Sequence, residues 1–264
     1  MSTPPYRIQE IEHRYGEGVH ILDDPFLTTQ LARLCAPATT QPLFNALIRQ
    51  LYTSLIRAVI NVEYPQVAVE IDTRMKATTP EGVFRGLIVD RDAPTVVVDI
   101  ARAGILPSQV CYDTLNSILN PAVVRQDHLI VARTTDAQAQ VTGAAISGSK
   151  IGGPVDDCFV LFPDPMGATG GSLSTAIANY VELGKARRLI TLNLIVTPEF
   201  IRTLQARCPG VIIYALRLDR GMSPPDVLDT VPGTHWDRES GLDARQYIVP
   251  GGGGFGELMN NSWV

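Results

Sequence analysis

Apolar residues recur at helical spacing from Thr28 to about Val62, with Leu31, Leu34, Phe44, Leu47, Ile48, Leu51, Leu55, Val59 and Ile60 falling three or four positions apart. Pro37 and Pro42 interrupt the run, because a proline inside a helix removes a hydrogen bond and clashes with the turn before it. The pattern therefore predicts two helices, the second ending before Tyr64-Pro65. Downstream the period shortens. Residues 67–71 alternate, and residues 95–100, 129–132 and 157–162 form short apolar runs, which predicts buried strands. Helices are predicted at 105–119, 172–183 and 199–208, and further strands at 189–196 and 211–218. Strands alternating with helices predict an α/β fold: a mostly parallel sheet flanked by helices on both faces. Ligands of such a sheet bind at the carboxyl ends of its strands.

Composition narrows the function classes. The chain has 264 residues, 45% hydrophobic and 19% charged, enough apolar mass for one large core and too much for a disordered chain. Twenty-two basic residues against 27 acidic ones give a net charge of −5, the wrong sign for gripping a nucleic-acid backbone. No apolar run approaches membrane-spanning length, and Met1-Ser2-Thr3-Pro4-Pro5 opens no export segment, so a cytoplasmic protein without a membrane partner is expected. Cys35, Cys111, Cys158 and Cys208 are scattered and read as buried thiols, and the four histidines show no metal-ligand spacing. Residues 1–27 read as a peripheral arm, residues 28–264 as one domain, and the proline-rich stretch 221–241 as a long loop or flap.

The most informative stretch follows one predicted strand and precedes one predicted helix: Asp164-Pro165-Met166-Gly167-Ala168-Thr169-Gly170-Gly171-Ser172. Glycines let the backbone approach an anion, amides of the turn and of a fresh helix N-terminus point at it, and Thr169 and Ser172 add hydroxyl donors. No lysine stands where a Walker A loop needs one, and the spacing is not G-x-G-x-x-G. Asp164, at the strand end, is placed to accept hydrogen bonds from sugar hydroxyls. A phosphate at one end and a diol at the other describe a ribose phosphate. A plain tight turn with Ser172 as a helix cap would use the same letters.

These residues resemble the phosphoribosyl pyrophosphate loop of uracil phosphoribosyltransferases, D-P-M-L-A-T-G-G-S/T, with Gly167 in place of the leucine. In the family's order, Ala101-Arg102-Ala103-Gly104 resembles L-R-A-G, Ala132-Arg133 resembles Y-R, and Tyr247-Ile248-Val249-Pro250-Gly251 matches Y-I-V-P-G. The resemblance covers roughly residues 28–258. It implies a type I phosphoribosyltransferase-like fold, a parallel sheet flanked by helices with a small hood made of the N-terminal helices and the C-terminal base loop. It also implies an enzyme of pyrimidine salvage that transfers phosphoribose from phosphoribosyl pyrophosphate to uracil or a related pyrimidine, giving UMP or its analogue and pyrophosphate, with Mg²⁺, as a homodimer.

Carried over residue by residue, the resemblance implies that Arg102, Arg133 and Asp164 are the catalytic set, the two arginines on pyrophosphate and Asp164 on the ribose hydroxyls. Met166, Ala168, Thr169, Gly170, Gly171 and Ser172 would bind the 5′-phosphate end. Ile248, Gly253, Gly254 and Phe255 would lie at the base, read chiefly by main-chain groups. Either arginine could instead be a surface cation paired with a nearby acid, and Arg74 and Lys76 read as solvated loop residues. The sequence departs from the family where P-G-L-G-D-A/F-G-D-R becomes Pro250-Gly251-Gly252-Gly253-Gly254-Phe255-Gly256-Glu257-Leu258. Gly254 stands for an aspartate expected near the ribose and metal, Glu257 for a second aspartate and Leu258 for an arginine. The lost carboxylate could weaken catalysis, redirect it to another base, or be replaced by Asp243 or Glu257. Two alternatives follow: the same donor with another acceptor, or a catalytically weak nucleotide-binding regulator.

Overall fold

The computed structural model describes residues 6–135 and 141–263, without the side chains of residues 132–135 and 141–144. A short strand, β1 (Val19–Ile21), leads into α1 (Pro25–Leu34) and α2 (Leu43–Glu63), and then into a ribbon of β2 (Gln66–Asp72) and β3 (Val83–Val89). The central part runs β4 (Thr95–Ala101), α3 (Ile105–Ile118), β5 (Val124–Thr135), β6 (Val141–Lys150), β7 (Phe159–Pro163) and β8 (Met166–Gly167). It continues through α4 (Gly171–Glu182), β9 (Arg188–Val196), α5 (Pro198–Arg207), β10 (Ile212–Leu218), and the short helices α6 (Pro225–Leu228) and α7 (Phe255–Asn260).

The main sheet is ordered β1-β10-β9-β7-β4-β5-β6, with β8 beside β9. Every pairing in it is parallel except β5 with β6, an antiparallel edge. Alternation along the strands sorts side chains between two cores. Val97, Phe159, Leu161 and Tyr214 join α1, α2 and α3 on one face, whereas Val96, Val98, Val160, Phe162 and Ile213 join α4 and α5 on the other. Chain order runs outward from β4 through β5 in one direction and from β7 through β9 and β10 in the other, so the crevice at the carboxyl ends of β4 and β7 is the switch point of the sheet.

Three expectations change. The strand predicted at 67–71 is real but not buried: β2 pairs only with β3 and is exposed but for half-buried Val69, while Val89 at the base of β3 packs on the core. Its alternation is that of a two-stranded arm with both faces in solvent, a pattern sequence cannot tell from a half-buried strand. The N-terminal arm is not peripheral, since β1 pairs with β10 and Tyr15, Val19 and Ile21 are buried in the core. The stretch 221–241 is a packed insertion held by Arg220 and Glu239. The C-terminal segment docks on α2: Phe255 meets Phe44 edge to face at 5.1 Å, Gln41 donates to Leu258 O at 3.0 Å and Asn45 to Met259 O at 3.1 Å.

Candidate active site

Asp164 begins the turn that leaves β7. Its Oδ1 accepts the Met166 N–H at 3.0 Å, and buried Asn193 on β9 donates to its main-chain oxygen at 2.6 Å, so both ends of the residue are held. Burial pushes its carboxyl up to about 6, against the opposing pull of the Met166 N–H. Gly167 packs against the start of α5, where an added Cβ would meet Val196 Cγ1 at 2.9 Å and Phe200 Cγ at 3.0 Å. A leucine, as in the resembled loop, would require Val196 or Phe200 to move. Thr197 donates its hydroxyl to Ala168 O at 2.6 Å and caps α5 by accepting the Phe200 N–H.

The turn closes at Gly170, whose φ of 77° is left-handed and which N-caps α4. No side chain caps α4. Its first-turn amides therefore open toward the hollow lined by Met166, Ala168, Thr169, Gly170, Gly171 and Ser172. The Gly171 N–H reaches the Thr169 hydroxyl oxygen only at 3.4 Å. A plain Ser172 cap is thus not what this turn is for, because Ser172 lies inside the helix and Gly170 takes the cap position.

Arg102 follows β4 directly, across a cis Ala101–Arg102 peptide, at the same edge of the sheet. It shares a cavity of about 610 Å³ with Asp164, Ser172, Tyr247 and Glu257. Ala103, Asp164 and Ser172 line both this cavity and the hollow at the start of α4, so the two adjoin. Arg102 is half-buried and has partners within the chain: Nη1 donates to Ser262 O at 3.0 Å and Ser262 Oγ at 3.1 Å, and Nη2 faces Glu257 Oε1 at 3.4 Å. Arg133 lies near the end of β5, paired with Ala144, and its side chain falls outside those described. Arg74 and Lys76 sit at the tip of the β2–β3 ribbon, exposed.

The base loop is shaped from below. Asp219, at the carboxyl end of β10 and 2% exposed, accepts the Gly251 N–H on Oδ2 at 2.7 Å, while Arg217 donates to Gly251 O at 2.9 Å. Arg217 and Asp219 bond each other through two contacts of 2.6 and 2.7 Å. Ile248 and Phe255 are buried in the core, so of these two residues only main-chain groups are left to face a ligand. Gly253 is left-handed at φ 84°. Tyr247, Gly256 and Glu257, which neighbour in the chain the Ile248, Gly253, Gly254 and Phe255 of the resemblance, line the large cavity. Asn193, Thr197, Arg217 and Asp219 were missed. Only Asp219 carried a signal, an acid at the carboxyl end of a predicted strand.

The family described as Uracil phosphoribosyltransferase matches residues 21–235, which stops short of the base loop. The chain is 32% identical over 185 residues to Uracil phosphoribosyltransferase 1 of Schizosaccharomyces pombe, covering 69% of this chain and 70% of that one. It is 27% identical over 245 residues to a Uracil phosphoribosyltransferase of Thermosipho africanus, covering 91% and 97%. Among solved structures, a protein from Aquifex aeolicus superposes with a TM-score of 0.69 at 17% identity, over 93% of this chain and 99% of that one, a likeness of fold.

Proposed function

Because this chain belongs to the uracil phosphoribosyltransferase family, we propose that it is a pentosyltransferase that transfers phosphoribose from phosphoribosyl pyrophosphate to uracil, forming UMP and pyrophosphate. The observation that supports it best is the pairing of two adjoining hollows at the switch point. One is rimmed by the uncapped amides of α4, and the other holds Arg102 and Asp164 on the ends of neighbouring parallel strands.

In this reading the amides and hydroxyls from Thr169 to Ser172 hold the 5′-phosphate, and Asp164, ionised, accepts from the ribose hydroxyls. Arg102, with Arg133, faces the departing pyrophosphate with a planar fork of donors suited to phosphate oxygens. Main-chain groups at Ile248, Gly253, Gly254 and Phe255 orient the base. No protein nucleophile is needed, so the chain's contribution is positioning and charge stabilisation at the leaving group. Mg²⁺ fits the site in a limited way. Asp164 places a carboxylate on the cavity, and this ion is commonly held by one or two carboxylates together with substrate phosphates. Among the described residues no group of three or more possible ligands occurs, so the substrate would supply the rest. Bound there, the ion would neutralise charge on the diphosphate.

A cytoplasmic role in pyrimidine salvage, as a homodimer, completes the proposal. The ribbon's exposed Val67, Ile71, Phe84 and Leu87 offer apolar surface that a second copy would cover. The deciding assay is pyrophosphate release from phosphoribosyl pyrophosphate, Mg²⁺ and a panel of nucleobases. Release with uracil is expected. Release only with another base would change the acceptor, and calorimetric binding without release for any base would make the chain a nucleotide-binding regulator.

A further inference from the structure

Glu257 sits on the first turn of α7 and turns its carboxylate back over Gly254. A Cβ built on Gly254 would lie 2.3 Å from Glu257 Oε2, about the separation between Cβ and a carboxylate oxygen within an aspartate itself. Glu257 thus lays one carboxylate oxygen over the space a side chain at 254 would enter, with its Cδ 3.1 Å from that Cβ. Gly254 has φ −82° and ψ 94°, extended backbone that any residue adopts. Its lack of a side chain thus answers to the space Glu257 fills and not to backbone conformation. Asp243 is engaged elsewhere, accepting the Arg245 and Tyr247 N–H groups at 2.9 and 2.8 Å, and Asp219 accepts from Gly251.

The other oxygen, Oε1, meets Arg102 Nη2 at 3.4 Å, and both residues line the same cavity. The contact is long and both side chains keep about a third of their surface open, 35% for Arg102 and 28% for Glu257. A contact of that kind orients a guanidinium without locking it. Arginine has five N–H donors, and the three contacts to Glu257 and Ser262 use only its two terminal nitrogens, leaving others for a ligand. Resting on the proposed phosphoribosyl transfer, we propose that Glu257 is a positioning residue for Arg102, and that the bare Gly254 leaves its carboxylate the room to act as one.

The test is a set of variants at the two positions, assayed in the full-length protein. Glu257→Ala is expected to lower kcat at least tenfold with KM for uracil changed less than threefold. Gly254→Ala, whose methyl displaces Glu257, is expected to lower kcat in the same way. The double variant Gly254→Asp with Glu257→Ala is expected to recover at least half of the logarithmic loss. Gly254→Ser with Glu257→Ala is the control, since serine caps a helix about as well as aspartate but offers Arg102 no charge. It should restore melting temperature without restoring kcat. Unchanged or faster turnover in Glu257→Ala, or equal rescue by serine and aspartate, overturns the proposal. If the unaltered protein releases no pyrophosphate with any base, the functional reading fails separately. Nitrogen relaxation of the Arg102 Nε–H then still decides: its side chain should become disordered in Glu257→Ala and ordered again in the aspartate double variant, and no change between them overturns the proposal.

Discussion

At the scale of single residues, Asp164 carries the sharpest prediction because its environment and its proposed task pull in opposite directions. Burial pushes its carboxyl up to about 6, so between the ordinary aspartate value and 6 the folded chain holds a proton that the unfolded chain has released. Stability contributed by this group therefore falls as pH rises through that window and stays low above it. Binding ribose hydroxyls needs the ionised form, so kcat/KM should drop on the acid side with an apparent pKa near 6. Asp164→Asn removes that limb and lowers kcat/KM by about a hundredfold or more at pH 8, while raising the urea midpoint at the same pH. A variant that lost both activity and stability would show Asp164 to be a structural residue. The identity of this aspartate was legible because it sits between a predicted strand and a glycine turn. Its raised pKa was not, since that depends on packing from β8 and β9 that no local pattern announces. Arg102 was legible as a cation at the strand end, but its partners Glu257 and Ser262 lie 155 and 160 residues away in sequence.

At the scale of elements, the long periodic segments were readable to within a few residues. Both helices of the 28–62 region, α3, α4, α5 and the buried strands β4, β7, β9 and β10 all occur where spacing placed them. Elements that owe their existence to a partner were not readable. β1 is three residues long and β8 two, and each is a strand only through pairing with β10 or β9. The base loop belongs to the same class. Its shape is imposed by Asp219 and Arg217 at the end of β10, which together bond the N–H and the C=O of Gly251. Asp219→Asn keeps the size of the side chain but removes the charge that strengthens the bond to Gly251 and the pairing with Arg217, a loss of about 1.5–3 kcal/mol for a hydrogen bond to a charged group. The expected result is a rise in KM for uracil of about tenfold or more, with KM for phosphoribosyl pyrophosphate within twofold. Steady-state kinetics with each substrate varied in turn measure this, and equal rises in both constants would mean that the loop does not act on the base alone.

At the scale of the whole molecule, the least legible feature is the insertion of residues 221–241, whose prolines and glycines read as a loose flap. Its order comes from a buried acid. Glu239, 3% exposed, accepts from the Tyr15 hydroxyl on one oxygen and from Arg220 at 3.0 Å and the Gly233 N–H at 2.8 Å on the other. Arg220 also donates to the main-chain oxygens of Val227, Leu228 and Thr230, so one ion pair ties the insertion to itself and, through Tyr15, to the N-terminal arm. The insertion also reaches the base loop, where Val249 N–H donates to Gly241 O at 2.8 Å. Tyr15 and Glu239 are separated by 224 positions, which is why the arm reads as peripheral and the flap as independent of it. Breaking a buried pair by deleting one partner leaves the other charge uncompensated, so Glu239→Ala should cost about 3–5 kcal/mol. Tyr15→Phe leaves the ion pair intact and one carboxylate oxygen unpartnered, so it should cost about 1–3 kcal/mol. Urea unfolding at constant m would show the two midpoints falling in that order. If both substitutions stayed within about 0.5 kcal/mol, as changes on an unconstrained surface loop do, the insertion would be the loose flap its sequence suggests.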